Sequence, residues 1–289
     1  MNDHRIIWLA SFPKSGNTWV RAFLANYFVG GRKPVSINKL HEFTTGDVRA
    51  DFYDRAAGGK FSIQSIEDYF ALRPKALRLI HDARSGSVFV KTHQINIVQD
   101  GIELIPAKLT GAAIYILRNP FDVAPSFARH AGTTIDEAIA KMSDPNGHSA
   151  SPRGLFEIYG SWDAHVTSWT EAKGLPRSVV RYEDLRDDPK AGFTKVLDFL
   201  RVKPDPVQLR NALRNTRLNA LQQQEKAEGF HEKPNEMSSF FHKGQVGGWR
   251  SELNNEQVAR LFEAFESKIR KWYPEFADEA AEIAGRSGS

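Results

Sequence analysis

No cysteine occurs anywhere in the 289 residues, which removes disulfides, thiolate metal ligands and a cysteine nucleophile in one step. Long apolar runs are missing too. Nothing approaches the ~20 residues that a membrane-spanning helix needs, and Ile6 to Leu9 is too short for the apolar centre of a signal peptide. Cytoplasm is therefore the expected location. No internal repeat, low-complexity tract or linker divides the chain, which predicts one domain over 1–284 and a loose tail at 285–289. Neither sign of charge dominates. A formal net charge of +4 suits anionic ligands, but the chain has no concentrated basic helix or aromatic RNA motif of the kind nucleic-acid binders carry.

What is present begins at Ser11-Phe12-Pro13-Lys14-Ser15-Gly16-Asn17-Thr18-Trp19, which joins a strand-like run, Ile6 to Phe12, to the amphipathic pattern Val20, Phe23, Leu24, Tyr27. A strand turning sharply into a helix leaves the first helical N–H groups unpaired, and the macrodipole adds partial positive charge there. An anion can settle in such a turn. Lys14 adds a full charge, Ser15, Asn17 and Thr18 supply small donors, and Gly16 permits close approach or positive φ. Because Lys14 precedes Gly16, this is not the nucleoside-triphosphate loop, in which Lys follows the last Gly and is itself followed by Ser or Thr for magnesium.

Further segments repeat the pattern of a strand ending in polar residues. Ala112 to Leu117 is a short apolar run suited to a buried parallel strand. After it, Pro120 opens a helix that brings Arg118, Asp122 and Ser126 toward one side. Arg118 could fork onto a phosphate or pair with Asp122. Ser87 to His93 reads as a strand with Lys91 and His93 on one face at its C-terminal end, where open parallel sheets bind ligands. Imidazole can take a proton from a hydroxyl near neutral pH, although a lone histidine can equally be structural. Arg177 to Leu185 reads as another strand, with Tyr182 either at a ligand or buried with a satisfied hydroxyl. Phe240 to Arg250 is glycine-rich with two cations, compatible with a binding loop or a surface turn. Helical periodicity follows at Thr133 to Met142, Leu155 to Lys173, Pro189 to Leu200, Pro206 to Leu213 and Glu256 to Trp272. Strands alternating with helices predict an α/β fold, a parallel β-sheet flanked by helices on both faces, with a P-loop-like phosphate site.

Taken in order from Ile6 to Trp249, these segments resemble the sulfotransferases that use 3′-phosphoadenosine 5′-phosphosulfate (PAPS), of the cytosolic rather than the Golgi-anchored branch. The first loop is similar to that family's 5′-phosphosulfate loop, Pro-Lys-Ser-Gly-Thr-Thr-Trp, with Asn17 as the one departure. Arg118 to Ser126 resembles its 3′-phosphate segment, and Lys91-Thr92-His93 matches its catalytic-base segment. The resemblance implies PAPS as co-substrate with no metal demanded, His93 as general base, and Lys14 and Lys91 among the catalytic residues. It further implies that Lys14, Ser15, Gly16, Asn17, Thr18 and Trp19 hold the 5′ end, and that Arg118, Ser126, His242, Lys243 and Gly244 hold the 3′-phosphate. His242 stands where arginine is usual, which removes a permanent charge from the clamp. Tyr182, Thr216 and Leu218 would meet the adenine, Leu218 without aromatic stacking, and Thr216-Arg217-Leu218 reads equally as a helix start. In Tyr159 to Trp169, Trp162, His165 and Trp169 read mainly as packing.

The acceptor is expected to be a small molecule, natural product or carbohydrate offering a hydroxyl or an amine. Expected pocket walls are Arg32 to Arg84, Ala131 to Leu155 and Lys226 to Phe241, holding Phe43, Phe52, Tyr53, Tyr69, Phe70, Phe230 and Phe240 with Arg73, Lys75, Arg78 and Arg84. With only a few residues before the first loop, the acceptor site is expected to be open. Asn254-Asn255 replaces the family's dimer motif, which leaves the oligomeric state open. Two other classes stand beside the enzyme reading. A small-molecule kinase would need Gly-Lys-Ser/Thr and a magnesium-binding aspartate, and a non-catalytic module that binds adenosine 3′,5′-bisphosphate (PAP) would keep the cradle without the base.

Overall fold

The computed structural model describes residues 5–63, 65–151, 153–234 and 237–287. Its central sheet has five strands: β1 (Ile6–Ser11), β2 (Thr44–Gly46), β3 (Val88–Thr92), β4 (Thr110–Leu117) and β5 (Arg177–Arg181). Their spatial order is β2-β3-β1-β4-β5, and every neighbouring pair is parallel. The main helices are α1 (Asn17–Phe28), α2 (Ile66–His81), α3 (Pro120–Ala131), α4 (Trp162–Thr170), α5 (Pro189–Phe199), α6 (Pro206–Asn215), α7 (Leu218–Glu228), α8 (Asn255–Trp272) and α9 (Pro274–Ser287).

Alternation along the strands divides the core in two. Ile6, Trp8 and Ala10 of β1 and Ala113, Tyr115 and Leu117 of β4 face one side, where they meet α2, α3, α4, α8 and α9. Leu9, Ile114, Ile116 and Val180 face the other and pack on Val20, Phe23 and Leu24 of α1 and on α5 and α6. Both faces are covered, so the inner strands read as nearly continuous apolar runs. Each fully buried large side chain contributes about 1.5–3 kcal/mol through burial, so the layers anchor the sheet whose C-terminal edge carries the site. This is the α/β architecture expected from the alternating pattern. Among the described residues no helix is long and apolar enough to cross a membrane.

Three local expectations change. Leu155 to Lys173 is not one helix: Phe156–Ile158 pairs antiparallel with His148–Ala150, and α4 begins only after Ser161, whose side chain accepts from the Ala164 N–H. The Gln94 side chain donates to Phe156 O and accepts from Ile158 N, so contacts from β3 hold these residues extended. The strand read over Arg177 to Leu185 stops at Arg181, and a short helix, Tyr182–Asp187, follows. At the end of the chain α9 continues to Ser287, where a loose tail was expected; Gly288 and Ser289 lie outside the described residues. Asn254 caps α8, its side chain accepting from Gln257 N while the Gln257 side chain accepts from Asn254 N.

Candidate active site

Parallel strands carry every β-to-α loop to the same edge, and the ends of β1, β3 and β4 place Pro13, Lys14, Gly16, His93 and Arg118 around one cavity of about 780 Å³. The first loop turns with Lys14 at φ 67° and Gly16 at φ 100°. Glycine is required at 16 because a Cβ there would lie 2.6 Å from Tyr182 Cδ2. Gly16 caps α1 without a side-chain hydrogen bond, so the helix's first N–H groups remain for a ligand. Ser15 Oγ is buried with no partner. Asn17 faces inward instead, its amide donating to Leu9 O at 2.8 Å and to Ser11 Oγ at 3.3 Å. It braces the loop against β1.

Lys14 lies with Nζ 4.1 Å from the centre of the Phe240 ring. Burial, and then the positive charges of Arg118 and Arg129, lower its pKa to about 7. A site that pushes an ammonium toward neutrality has positive potential to offer an anion. Arg118 adds to it. Its guanidinium donates to Lys14 O at 3.3 Å and Gln245 O at 3.2 Å and lies over Tyr182, 4.4 Å from the ring centre, while Nε is buried without a partner. The orphaned Ser15 hydroxyl and Arg118 Nε–H, with the helix start, are the donors that a nucleotide with phosphates at two positions would use.

Asp122 does not pair with Arg118. It is buried, with Oδ2 accepting from Gly247 N at 2.8 Å and Oδ1 from Trp249 N at 2.9 Å, and Asn119 Nδ2 donates to it as well. The carboxylate therefore fastens the glycine-rich loop to the start of α3, which puts His242, Lys243 and Gly244 on the cavity opposite Arg118 and Ser126. Asp122→Ala strands these donors. It should lower stability by about 1–3 kcal/mol and weaken PAP binding, read by thermal unfolding with and without PAP; an unchanged melting temperature would show that the loop holds itself. His242 is exposed, and partial burial and then Arg129 lower its pKa, which disfavours its charged form where an arginine would stay charged. Tyr182 donates to Gly244 O at 3.1 Å, so its hydroxyl is satisfied, and the residue also lines the cavity. Trp19, Thr216 and Leu218 also line it, although the Thr216 hydroxyl is spent on Ala212 O and Leu218 begins α7.

His93 follows directly on β3. Its Nδ1 lies 2.8 Å from Ser11 O, and a carbonyl can only accept, so Nδ1 carries the proton and Nε2 keeps its lone pair. Burial, and then the charge of Lys91, hold its pKa well below the usual imidazole range. Its carbonyl accepts from His165 Nε2 at 3.2 Å, while His165 Nδ1 accepts from the Tyr115 hydroxyl at 2.9 Å. His165 is a satisfied structural histidine, as its sequence context suggested. The residues on either side of His93 are tied as firmly. Thr92 donates to Asp47 Oδ2 at 2.9 Å, Asp47 pairs with Arg73 at 2.8 Å with both side chains wholly buried, and Tyr69 joins Arg73 to the Gln94 amide.

All three expected wall segments reach the cavity, through His41 and Arg49, Lys141 and Ser149, and Glu232 and Phe240, but most of the side chains singled out in them do not. Phe52, Tyr53, Tyr69, Phe70 and Phe230 are buried, Phe43 packs on the core, Arg73 is enclosed, and Lys75, Arg78 and Arg84 face solvent. Of that set only Phe240 lines the cavity. Sequence reasoning missed Arg21 and Glu157, and held Glu232 only as an unnamed part of the expected wall Lys226 to Phe241. Lys91 Nζ donates to Glu157 at 2.7 Å, and the Arg21 guanidinium forks onto both Glu232 oxygens at 2.8 Å.

The family model of the sulfotransferase domain matches residues 4–273. The chain belongs to the sulfotransferase family. With membership comes PAPS as the co-substrate of a sulfuryl-transfer enzyme. Among relatives, sulfotransferase 1A1 of Bos taurus is 28% identical over 278 residues, covering 90% of this chain and 81% of the relative. Cytosolic sulfotransferase 15 of Arabidopsis thaliana is 22% identical, covering 90% and 71%. In fold the sulfotransferase resembles mouse sulfotransferase SULT7A1 complexed with PAP, at TM-score 0.61 and 20% identity over 99% of this chain and 89% of that one. A retinol dehydratase solved with androsterone and PAP gives TM-score 0.63 at 16% identity, covering 93% and 82%.

Proposed function

We propose that this sulfotransferase moves the sulfuryl group of PAPS to a hydroxyl of a small-molecule or carbohydrate acceptor by in-line displacement, with His93 as general base. One observation carries the base assignment: a neutral imidazole at the cavity whose Nδ1–H is committed to Ser11 O, leaving Nε2 to accept. As the acceptor oxygen bonds to sulfur and the bridging sulfur–oxygen bond breaks, His93 Nε2 takes the hydroxyl proton. Lys14 meets the charge that gathers on the bridging oxygen. The Ser15, Gly16, Asn17 and Thr18 segment holds the 5′ end, and Arg118, Ser126, Lys243 and Gly244, with His242 beside them, hold the 3′-phosphate. Trp19, Tyr182, Thr216 and Leu218 border the adenine. Lys91 enters as a charge already shared with Glu157, which suits it to positioning rather than to proton transfer. Cytoplasmic residence belongs to the same proposal.

A kinase is disfavoured because Lys14 precedes Gly16, and a mere PAP-binding module has no use for the prepared base. Calorimetry tests the reading: PAP should give a saturable heat that excess ATP does not remove. Heat from ATP with none from PAP would overturn it.

A further inference from the structure

The acceptor side of the cavity is built from charge pairs. Lys91–Glu157 and Arg21–Glu232 both line it, and although burial opposes it, the charge of Arg21 and then that of Lys91 lower the Glu232 pKa. The first pair is incomplete, whereas Arg21 is fully engaged by Thr44 and both Glu232 oxygens. Lys91 spends one of its three protons on Glu157 Oε1, and Glu157 Oε2 has no hydrogen-bond partner among the described residues. On the other wall, His130 Nδ1 is buried and unpartnered, its ring being kept neutral by burial and by Lys14, with a pKa lowered to about 4.

Phe127, Tyr159, Phe240 and Phe241 line other parts of the cavity, but the stretch beside the charge pairs disfavours a flat apolar ring laid over it. Covering these pairs without returning hydrogen bonds costs roughly 1–3 kcal/mol per stranded group. A charged acceptor fares poorly too. Either charge would be attracted by one partner of each pair and repelled by the other. Neighbouring uncharged hydroxyls both donate and accept, so they can give protons to Glu157 and Glu232 while taking them from Lys91. We propose that the acceptor is an uncharged polyhydroxyl compound of sugar or cyclitol type, held by the Lys91–Glu157 and Arg21–Glu232 pairs so that one of its hydroxyls reaches His93. This rests on the sulfotransferase reading of the same cavity. Phe240 leaves room for one apolar face of such a ring, the face a sugar has.

The test uses the full chain with labelled PAPS. Methyl glycosides of the common hexoses and inositol are compared with 4-nitrophenol and 2-naphthol, and PAP binding is measured separately by calorimetry. At least one polyol should be sulfated with kcat/KM tenfold or more above both phenols. Glu157→Gln and Glu232→Gln should each raise the KM for that polyol about tenfold, as expected when a charged hydrogen bond is lost, while leaving the Kd for PAP within about threefold. Phenols preferred over every polyol, or PAP bound and no polyol sulfated, would overturn the acceptor class and leave the sulfotransferase reading standing. Failure to bind PAP would instead overturn the reading beneath it. If Glu232→Gln also lowers the melting temperature, Glu157→Gln, on the other wall, decides the matter, and an unchanged polyol KM there counts against the proposal.

Discussion

Changing His93 to alanine lowers kcat by about 10²–10⁴-fold, the usual worth of a positioned general base, while the Kd for PAP stays within about threefold. The split follows from where His93 sits. It ends β3, whereas the phosphate donors stand on the loops after β1 and β4. The imidazole touches the cradle only through Ser11, by its carbonyl at 2.8 Å and its hydroxyl at 3.2 Å, and Asn17, which also uses that hydroxyl, keeps its stronger bond to Leu9 O without the ring. The base is also held still. Thr92 and Gln94 are fixed by Asp47 and Tyr69, and His165 holds the His93 carbonyl, so alanine removes the ring without releasing its backbone. Single-turnover sulfation with PAPS prebound measures the chemical step directly. A loss of less than tenfold would move the base elsewhere, and an equal loss of PAP affinity would make His93 a binding residue.

The cradle was legible because its chemistry is local. Pro13 to Thr18 carries its own strand exit, helix entry and charge in consecutive residues, and Arg118 to Ser126 does the same after β4. Short apolar runs placed β1, β3 and β4 to within a residue or two. The acceptor wall was legible in its segments but not in its side chains, because these are assembled across the chain. Arg21 stands in the apolar pattern of α1 and finds Glu232 from 211 residues away, a pairing no window can report. Glu157 was hidden inside a segment whose apolar spacing fits a helix, and hydrogen bonds from Gln94 make it a strand. Gly160-Ser161, a turn residue followed by a capping residue, was the signal that could have moved the start of that helix to Trp162. Arg73 and its tyrosines looked like pocket for the opposite reason. Composition alone does not distinguish a buried network from a lined cavity, and only the Asp47 partner decides it.

Affinity for PAP should fall about tenfold per pH unit above pH 7, through a proton that Lys14 takes up when the anion arrives. Its pKa in the free protein is lowered to about 7, first by burial, then by Arg118 and Arg129, with Lys91 adding to the effect and Glu232 opposing it. A phosphate in the cradle favours the ammonium and raises that pKa again. Below pH 7 Lys14 is already charged, so binding needs no proton from solvent. Above it the free protein is largely neutral at this position, and each bound PAP must draw in a proton, with uptake approaching one near pH 8.5. Calorimetry at pH 8.5 in two buffers of different ionisation enthalpy gives that number directly. PAP's own phosphates titrate near pH 6 and His242 lies close by, so the same pair of measurements on Lys14→Arg supplies the correction. Arginine stays charged throughout, and the uptake assigned to Lys14 should vanish while that from any other group remains. Equal uptake by the two proteins would show that Lys14 is already an ammonium before the nucleotide binds.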